Sequence, residues 1–287
     1  MEISVVTPAK QLDDIAFETI KSVANQNANF NYEHIIVVDK QEEKLPKSYI
    51  DKNYSITYIK SERKLGPSSS RNEGIEVSKG KIICFLDADD LWDVNHLTNL
   101  KLLYEKNDHI GGVSVGGYTF GKTIKKHKKI TAWHHEGFLS INSLSWNVIG
   151  CPSGFSFRRK YKNYAIFSED LKWCEDFIFY LNLMIKTDIK IYRSNKFFYW
   201  YRVSDNQVTY KPNKEMLDES KLLLQEIFIN DFKKILNSKD SLSLRLQIKR
   251  SLNKASKKPY FIYTFLLSLV SPFWLVATII KTSEKIQ

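Results

Sequence analysis

The sequence predicts an α/β fold in which a mixed, mostly parallel central sheet is flanked by helices. Short β-branched segments alternate with helical patterns over the first half of the chain, which is the order that βαβ units produce. Acidic residues directly follow two of these segments, at Asp39 and at residues 87–90. Because ligands bind beyond the carboxyl ends of parallel strands, the same pattern predicts a binding site at one edge of the sheet.

The element predictions rest on periodicity and on residues that begin or end helices. Apolar residues recur at helical spacing through residues 12–24, while Gly66-Pro67-Ser68 and Gly80 mark the two ends of a second helix. The predicted strands are residues 3–7, 34–38, 56–59, 81–86, 112–115 and 197–202. The predicted helices are residues 12–24, 68–78, 97–104, 176–185 and 216–236.

The composition is that of a folded protein. The chain has 287 residues, of which 43% are hydrophobic and 26% are charged, so it can bury a sizeable core and is not disordered as a whole. Three scattered cysteines are too few for a disulfide framework or a zinc site, which favours a reducing compartment. The chain runs directly into a strand-like segment, so no secretory signal is expected.

The net charge of +11 is concentrated late in the chain. Residues 245–287 hold eight Lys or Arg and one acid, which accounts for +7 of the total. Residues 260–280 carry no charge and are long enough to cross a bilayer, although Pro272 would kink a spanning helix. Aromatic residues in the segment and cations around it favour docking in a membrane interface. A helical hairpin packed on the globular domain is the alternative.

Three carboxylates lie within the run Asp87-Ala88-Asp89-Asp90. They repel one another, and Mg²⁺ or Mn²⁺ would relieve that repulsion and create a site for a diphosphate. The alternative is a helix N-cap with surface acids, because Asp is common at that position.

Glu175 and Asp176 open an apolar helix and form a second acidic candidate site. A carboxylate there is suited to act as a general base, and the alternative is a favourable interaction with the helix dipole. Arg71 is suited either to neutralise a phosphate or to form a structural salt bridge. The other candidates are His134 and His135, as ligands or solvated loop residues, and Tyr201 and Arg202, as a cover over a diphosphate or the end of an edge strand.

In combination, these segments resemble the inverting glycosyltransferases of family two, which have the GT-A fold. The resemblance is strongest from the Arg-Asn-x-Gly helix at residues 71–74 to the Asp-x-Asp at residues 87–89, and it resumes at residues 152–159 and 167–176. It implies a GT-A catalytic domain over residues 1–210. Residues 211–287 are then a C-terminal helical, membrane-associated extension that contains the apolar segment 260–280.

The resemblance also implies a role for each candidate residue. Asp176 matches the catalytic base, with Glu175 beside it. Asp89 would hold Mn²⁺ or Mg²⁺ on the donor diphosphate, with Asp87 contributing to the metal site and facing the ribose. The remaining donor-binding residues implied by the resemblance are Thr7, Pro8, Asp39, Arg71, Ala88 and Arg202.

Two positions depart from the family pattern. Asp39 is followed by Lys40 where the family often has a second Asp. The first loop reads Pro8-Ala-Lys-Gln11, without the aromatic residue that often stacks on the base. A UDP-sugar is the expected donor, with dTDP- and GDP-sugars as alternatives.

The expected function is inverting transfer of a sugar from a nucleotide diphosphate donor to a lipid-linked or growing glycan. The expected setting is bacterial surface polysaccharide assembly, such as O-antigen, lipopolysaccharide or capsule, at the cytoplasmic face of the inner membrane. No nucleic-acid partner is expected, because an uncharged segment follows the basic tract. The alternatives are a sugar-nucleotide-binding protein without transferase activity and a sugar-nucleotidyltransferase, although the Gly-rich loop of the latter is missing.

Overall fold

The computed structural model describes residues 1–39, 49–62, 66–121, 129–130, 136–139, 149–171 and 175–204. Within these residues, eleven strands form one sheet. The strands are β1 (Ile3–Ala9), β2 (Tyr32–Val38), β3 (Tyr49–Asp51), β4 (Tyr54–Lys60), β5 (Ile82–Phe85), β6 (Leu91–Trp92), β7 (Gly112–Phe120), β8 (Lys129–Ile130), β9 (Gly137–Phe138), β10 (Phe155–Arg158) and β11 (Ile191–Arg202). The helices are α1 (Asp14–Ala24), α2 (Pro67–Val77), α3 (His96–Lys106) and α4 (Glu175–Lys186), with 3-10 helices at Pro152–Gly154 and Arg159–Tyr164.

The sheet has a parallel half and a mixed half. Its order is β3-β4-β2-β1-β5-β10-β7-β11-β6, and β4, β2, β1 and β5 run parallel to one another. Strand β10 runs antiparallel to both β5 and β7, whereas β11 runs parallel to β7. The carboxyl ends of β1, β2 and β5 therefore meet at one edge, which we call the catalytic edge.

Each face of the sheet carries an apolar core, because side chains alternate along a strand. Val6 faces the core that α2 and α4 cover, together with Phe85 and Phe179. Val5 faces the core that α1 and α3 cover, together with Leu97. Burial on both faces explains why the parallel strands are continuous hydrophobic runs in the sequence.

Helix α2 lies unusually close to β1 at Gly74. A Cβ atom on Gly74 would lie 2.2 Å from Cγ1 of Val6, so any larger residue would push the helix away from the strand. The helix begins after Gly66, at φ 128°, with Pro67 in its first turn. This close contact fixes the position of α2, and therefore of Arg71, relative to the catalytic edge.

The predicted α/β class with a mixed sheet and flanking helices is confirmed. Every strand and helix predicted within the described residues is present, but β3, β6, β8, β9 and β10 were not predicted, and β10 separates β5 from β7. The helix at residues 216–236 and the apolar segment 260–280 lie outside the described residues, and the division at residue 210 stays a prediction. In the part of the chain that the structure describes, no helix is long and apolar enough to cross a bilayer.

Candidate active site

The acidic run follows β5 at the catalytic edge and splits into two environments. Asp87 and Asp89 are partly exposed, whereas Asp90 is fully buried. The carboxylate of Asp90 accepts hydrogen bonds from Oγ of Ser153 at 2.6 Å and from the backbone N–H of Arg202 at 2.9 Å. Asp90 is therefore the anchor of the loop, and Asp87 and Asp89 are the acids that a ligand can reach.

The acids of this loop are not helix caps. Strand β6 follows the run directly, and α3 begins only at His96, with Asn95 in the N-cap position. Burial, followed by the negative charges of Asp89 and Asp87, raises the pKa of Asp90 well above its ordinary value. The N-cap interpretation is therefore wrong, and the acidic run forms a loop at the end of the parallel strand β5.

Arg71 connects this loop to the second acidic site. Its Nη2 donates to Oδ1 of Asp87 at 2.6 Å, and its Nη1 lies 3.6 Å from Oε1 of Glu175. Its guanidinium carbon lies 5.1 Å from the ring centre of Phe167. Two acidic groups that are 88 positions apart in the sequence, Asp87 and Glu175, therefore converge on one buried cation.

The environment of Arg71 favours an anionic ligand. Arg71 is only 4% exposed, and its Nε and Nη1 have no hydrogen-bond acceptor among the described residues. Burial opposes its positive charge, but the attraction of Asp87 and Glu175 outweighs burial and raises its pKa above the ordinary value. Buried N–H groups without an acceptor are costly, so a phosphate or sugar oxygen placed here would be stabilised.

Helix α4 begins with the second acidic pair. Oδ1 of Asp176 accepts a hydrogen bond from the backbone N–H of Phe177 at 2.7 Å. Loss of solvation, followed by the charge of Glu175, raises the pKa of Asp176 to about 7. A carboxyl group with this pKa is half ionised near neutral pH, which suits a general base.

The residues predicted at the ends of β1 and β2 lie at the same edge. The backbone N–H of Asp39 donates to the carbonyl of Ala9 at 2.9 Å, so the two strand ends are adjacent. The side chain of Thr7 is buried, and its Oγ1 hydrogen-bonds Nε2 of His34 at 2.8 Å. Its side chain is therefore part of the core, whereas Pro8 lies at the end of β1 and Asp39 directly follows β2. Their donor contacts stay predictions.

The side chain of Arg202 binds the backbone of the acidic loop. Its Nε donates to the carbonyl of Asp89 at 2.7 Å, and its Nη2 donates to Oε2 of Glu18 at 2.6 Å. The carbonyl of Ala88 is held in turn by Oγ1 of Thr19 at 2.9 Å. The structure thus places Arg202 and Ala88 in the loop that carries Asp89. Their direct contact with a donor stays a prediction.

Two further residues organise the site, and the sequence analysis did not single them out. Ser153 donates to Asp90 and accepts the backbone N–H of Asp87 at 3.1 Å. Asn72 brackets the backbone of Phe167, accepting its N–H at 2.8 Å and donating to its carbonyl at 2.9 Å. Both lie in segments that carry the family resemblance. Residues 134 and 135 lie outside the described residues.

The acidic loop offers the oxygen ligands that Mg²⁺ and Mn²⁺ prefer. Among the described residues, no three His, Cys, Asp or Glu side chains are grouped so as to hold a metal by themselves. Asp87 and Asp89 fit a cation that completes its shell with diphosphate oxygens and water, as Mg²⁺ commonly does in phosphate sites.

Relatives of this chain occur among proteins of bacterial polymer synthesis. A stretch of 196 residues is 28% identical to the minor teichoic acid biosynthesis protein GgaA of Bacillus subtilis (strain 168), covering 64% of this chain and 43% of that protein. A stretch of 109 residues is 36% identical to the amylovoran biosynthesis glycosyltransferase AmsB of Erwinia amylovora, covering 36% of each. The chain therefore spans less than half the length of these relatives.

The fold is shared with S. aureus TarS. The crystal structure of TarS 1-349 in complex with UDP-GlcNAc matches with a TM-score of 0.64 and 15% identity, covering 88% of this chain and 73% of that one. This likeness shows a GT-A-like fold. The family model for glycosyl transferase family 2 matches residues 4–167, which is more than half of the chain, and the predicted resemblance is thereby confirmed: the chain belongs to glycosyl transferase family 2.

Proposed function

We propose that this protein is an inverting glycosyltransferase that moves a sugar from a nucleotide diphosphate to a hydroxyl group of a glycan. Family membership supports sugar transfer as the reaction class. One observation carries the assignment of roles, namely that Arg71 brings Asp87 and Glu175 to one point. The acidic loop then serves the leaving diphosphate, and the start of α4 serves the attacking hydroxyl.

The proposed mechanism is a single displacement. Asp176 accepts the proton of the acceptor hydroxyl while that oxygen attacks the anomeric carbon. The bond from this carbon to the diphosphate breaks on the opposite face, so the configuration inverts and the electron pair leaves with the nucleotide. Arg71 offsets part of the negative charge that develops there. A Mg²⁺ or Mn²⁺ ion held by Asp87 and Asp89 would supply Lewis-acid stabilisation of the same charge.

We further propose a UDP-sugar as the donor. The support is the complex of TarS with UDP-GlcNAc, a protein that shares the fold. Asp39 and Pro8 lie at the catalytic edge and are our candidates for contacts to the nucleotide.

The proposed acceptor is a lipid-linked or growing glycan of a bacterial surface polymer. The support is the role of GgaA and AmsB, as their names state it, in teichoic acid and amylovoran biosynthesis. We propose that the enzyme acts at the cytoplasmic face of the membrane, where the segment 260–280 provides a C-terminal attachment.

The substitution Asp176→Asn tests the proposed base. It removes the proton acceptor but keeps the size and most hydrogen bonds of the side chain, so sugar transfer should fall by about 10²-fold or more. Binding of the donor with Mn²⁺, measured by calorimetry, should change by less than about threefold, because the acidic loop is untouched.

Asp170→Asn is the matched control, since Asp170 is exposed and lies six residues before Asp176. Its transfer rate should equal that of the unaltered protein. Near-normal turnover by Asp176→Asn would overturn the assignment of the base.

A nucleotide-sugar panel separates the proposed transferase from the two alternatives. Release of nucleoside diphosphate supports transfer or donor hydrolysis. Formation of a nucleoside triphosphate from added pyrophosphate would identify a nucleotidyltransferase. Metal-dependent binding without any turnover would identify a sugar-nucleotide-binding protein.

A further inference from the structure

Three of the most exposed apolar side chains among the described residues lie on α2 and on the segment 162–167, which contacts α2. Ile166 is 57% exposed, Tyr164 is 50% exposed and Val77 is 44% exposed. Val77 ends α2, and Nζ of Lys162 donates to the carbonyl of the preceding residue, Glu76, at 3.3 Å. This contact joins the end of α2 to the 3-10 helix that precedes Ile166.

Cations surround these apolar side chains. Residues 158–162 contain four Lys or Arg and no acid. Of these, Arg158 is partly buried and donates to the carbonyls of Ile110 and Tyr104, so it belongs to the fold. The other cations and the apolar side chains form what we call the docking surface, which consists of Val77, Arg159, Lys160, Lys162, Tyr164 and Ile166.

A cavity beside the docking surface is large enough for a phosphate group. Its volume is about 290 Å³, and it lies between the 3-10 helix and the end of α4. Its lining residues are Lys160, Tyr161, Tyr164, Lys186, Thr187 and Asp188. Asp188 lines the cavity with Lys160 and Lys186, and Glu169 and Asp170 follow Ile166, so the positive excess is confined to the 3-10 helix and the cavity.

The docking surface extends along α2, from the edge of the sheet opposite the catalytic edge to Ile166, which directly precedes Phe167. Strand β10 runs antiparallel to β5 and ends at Arg158, which pairs with Ile82 at the beginning of β5. Helices α2 and α4 begin at the acidic site and end beside the docking surface. The described domain therefore has an acidic edge that handles the donor and a basic, apolar edge behind it.

We propose that the docking surface binds an anionic phospholipid bilayer. Tyr164 and Ile166 would enter the interface, while Arg159, Lys160 and Lys162 contact lipid phosphates, in the manner of amphipathic membrane-surface segments. Exposed aliphatic groups such as Ile166 and Val77 favour a bilayer over an anionic glycan polymer, which offers phosphates but no apolar layer. This inference rests on the proposed function, which places the enzyme at a membrane. It adds that a surface within the catalytic domain contacts that membrane.

Partitioning of the full chain onto vesicles tests the proposal. The probe is phosphatidylcholine vesicles with and without phosphatidylglycerol, measured by co-sedimentation. The variant Arg159→Gln/Lys160→Gln/Lys162→Gln should bind the anionic vesicles about 100-fold more weakly, because each cation near such a surface contributes roughly a factor of five. The matched control is Lys21→Gln/Lys52→Gln/Lys196→Gln, which alters three exposed cations elsewhere and should stay within about threefold.

A second pair of variants tests the apolar contact. Val77→Ser/Tyr164→Ser should lower vesicle binding about tenfold even at high salt, where charge attraction is screened. Leu102→Ser is the control, since Leu102 is 50% exposed on α3 and should leave binding unchanged. Donor hydrolysis should stay normal in all of these variants, because the acidic loop is intact.

The possible outcomes separate this inference from the proposed function. Unchanged vesicle binding in both surface variants would overturn the docking surface, and loss of binding on removing residues 260–280 would then leave membrane association to that segment. Weaker binding to soluble teichoic acid with unchanged vesicle binding would instead identify an anionic polymer as the partner, and a changed oligomeric state would identify a second copy of the chain. Absence of donor hydrolysis in the unaltered protein would contradict the proposed function and leave the vesicle result standing.

Discussion

The pKa of Asp176 depends on burial and on neighbours with opposing effects. Loss of solvation and the charge of Glu175 raise its pKa, whereas the hydrogen bond from Phe177 and the charge of Arg71 lower it. The balance, a pKa of about 7, leaves about half of the Asp176 carboxyl groups ionised near neutral pH, and the ionised form is more basic than an ordinary Asp carboxylate. The proposed base is thus tuned by the same guanidinium that contacts the acidic loop.

The pH dependence of transfer should report this pKa. Only the ionised form of Asp176 accepts a proton, so kcat/KM should rise with a single-proton slope and level off above a pH of about 7. The measurement is a rate profile over a range in which the protein stays folded, with circular dichroism as the control. A profile that is flat down to the ordinary range of an exposed Asp would contradict the proposed role.

Removing the charge of Arg71 should move this profile. In Arg71→Gln the positive charge that lowers the pKa of Asp176 is lost, so the midpoint of kcat/KM should shift to higher pH. Arg71→Lys keeps the charge and should keep the midpoint, although transfer should be slower because one ammonium group cannot face Asp87 and Glu175 with two separate nitrogens.

Glu175→Gln should shift the pH midpoint of kcat/KM in the opposite direction. It removes a charge that raises the pKa of Asp176, so the midpoint should fall. If Arg71→Gln and Glu175→Gln both left the midpoint in place, the electrostatic coupling across the site would be refuted.

At the scale of elements, α2 organises the site through four consecutive residues. Arg71 pairs with Asp87, Asn72 brackets Phe167, and Glu73 accepts the hydroxyl of Ser61 at 2.8 Å. Gly74 then allows the helix to lie against β1. One helical turn therefore connects the acidic loop, the segment before α4 and the β4 side of the sheet.

Gly74→Ala should destabilise the protein, although alanine is the better helix former. The added Cβ would overlap Val6, and overpacking of this kind costs about 1–3 kcal/mol of the free energy of unfolding. Urea unfolding monitored by circular dichroism measures the loss. Val77→Ala, in the exposed last turn of the same helix, should cost less than about 0.5 kcal/mol. Equal stability of the two variants would show that α2 can shift without penalty.

The elements differ in how well the sequence predicts them. Gly66 and Pro67 mark the start of helix α2 in the sequence, and β5 is a continuous apolar run. Both elements can therefore be predicted from the local sequence pattern. Strand β10 has only four residues and owes its place to pairing with β5 and β7, which are distant in the sequence. A strand of this kind is formed by tertiary contacts, and periodicity does not reveal it.

The same distinction holds for the candidate site across the whole molecule. The acids at 87–90 and 175–176 could be located because strand ends and helix starts are local features. Three features could not be predicted, because each depends on a partner far along the chain. They are the burial of Asp90, the inward side chain of Thr7 and the contact of Arg202 with the acidic loop. Residue type alone does not separate an anchoring acid from one that a ligand can reach.

At the scale of the whole molecule, the described residues show a charge arrangement that net charge conceals. The sequence analysis assigned the positive excess mainly to residues 245–287, and that assignment stays a prediction because those residues lie outside the described part of the chain. Within the described residues, the acidic loop and the start of α4 lie near Arg71, whereas Lys160 and Lys186 line a cavity at the end of α4.

The distance between Arg71 and the docking surface sets how far an acceptor must extend from a bilayer. Along α2, six positions separate Arg71 from Val77, which is a rise of about 9 Å. With Val77 and its neighbours on a bilayer, the guanidinium that faces the leaving diphosphate would stand on the order of 10 Å from the lipid surface. A sugar attached directly to a lipid diphosphate would then be within reach of the proposed base, so the enzyme would not need a long polymer to bridge the gap.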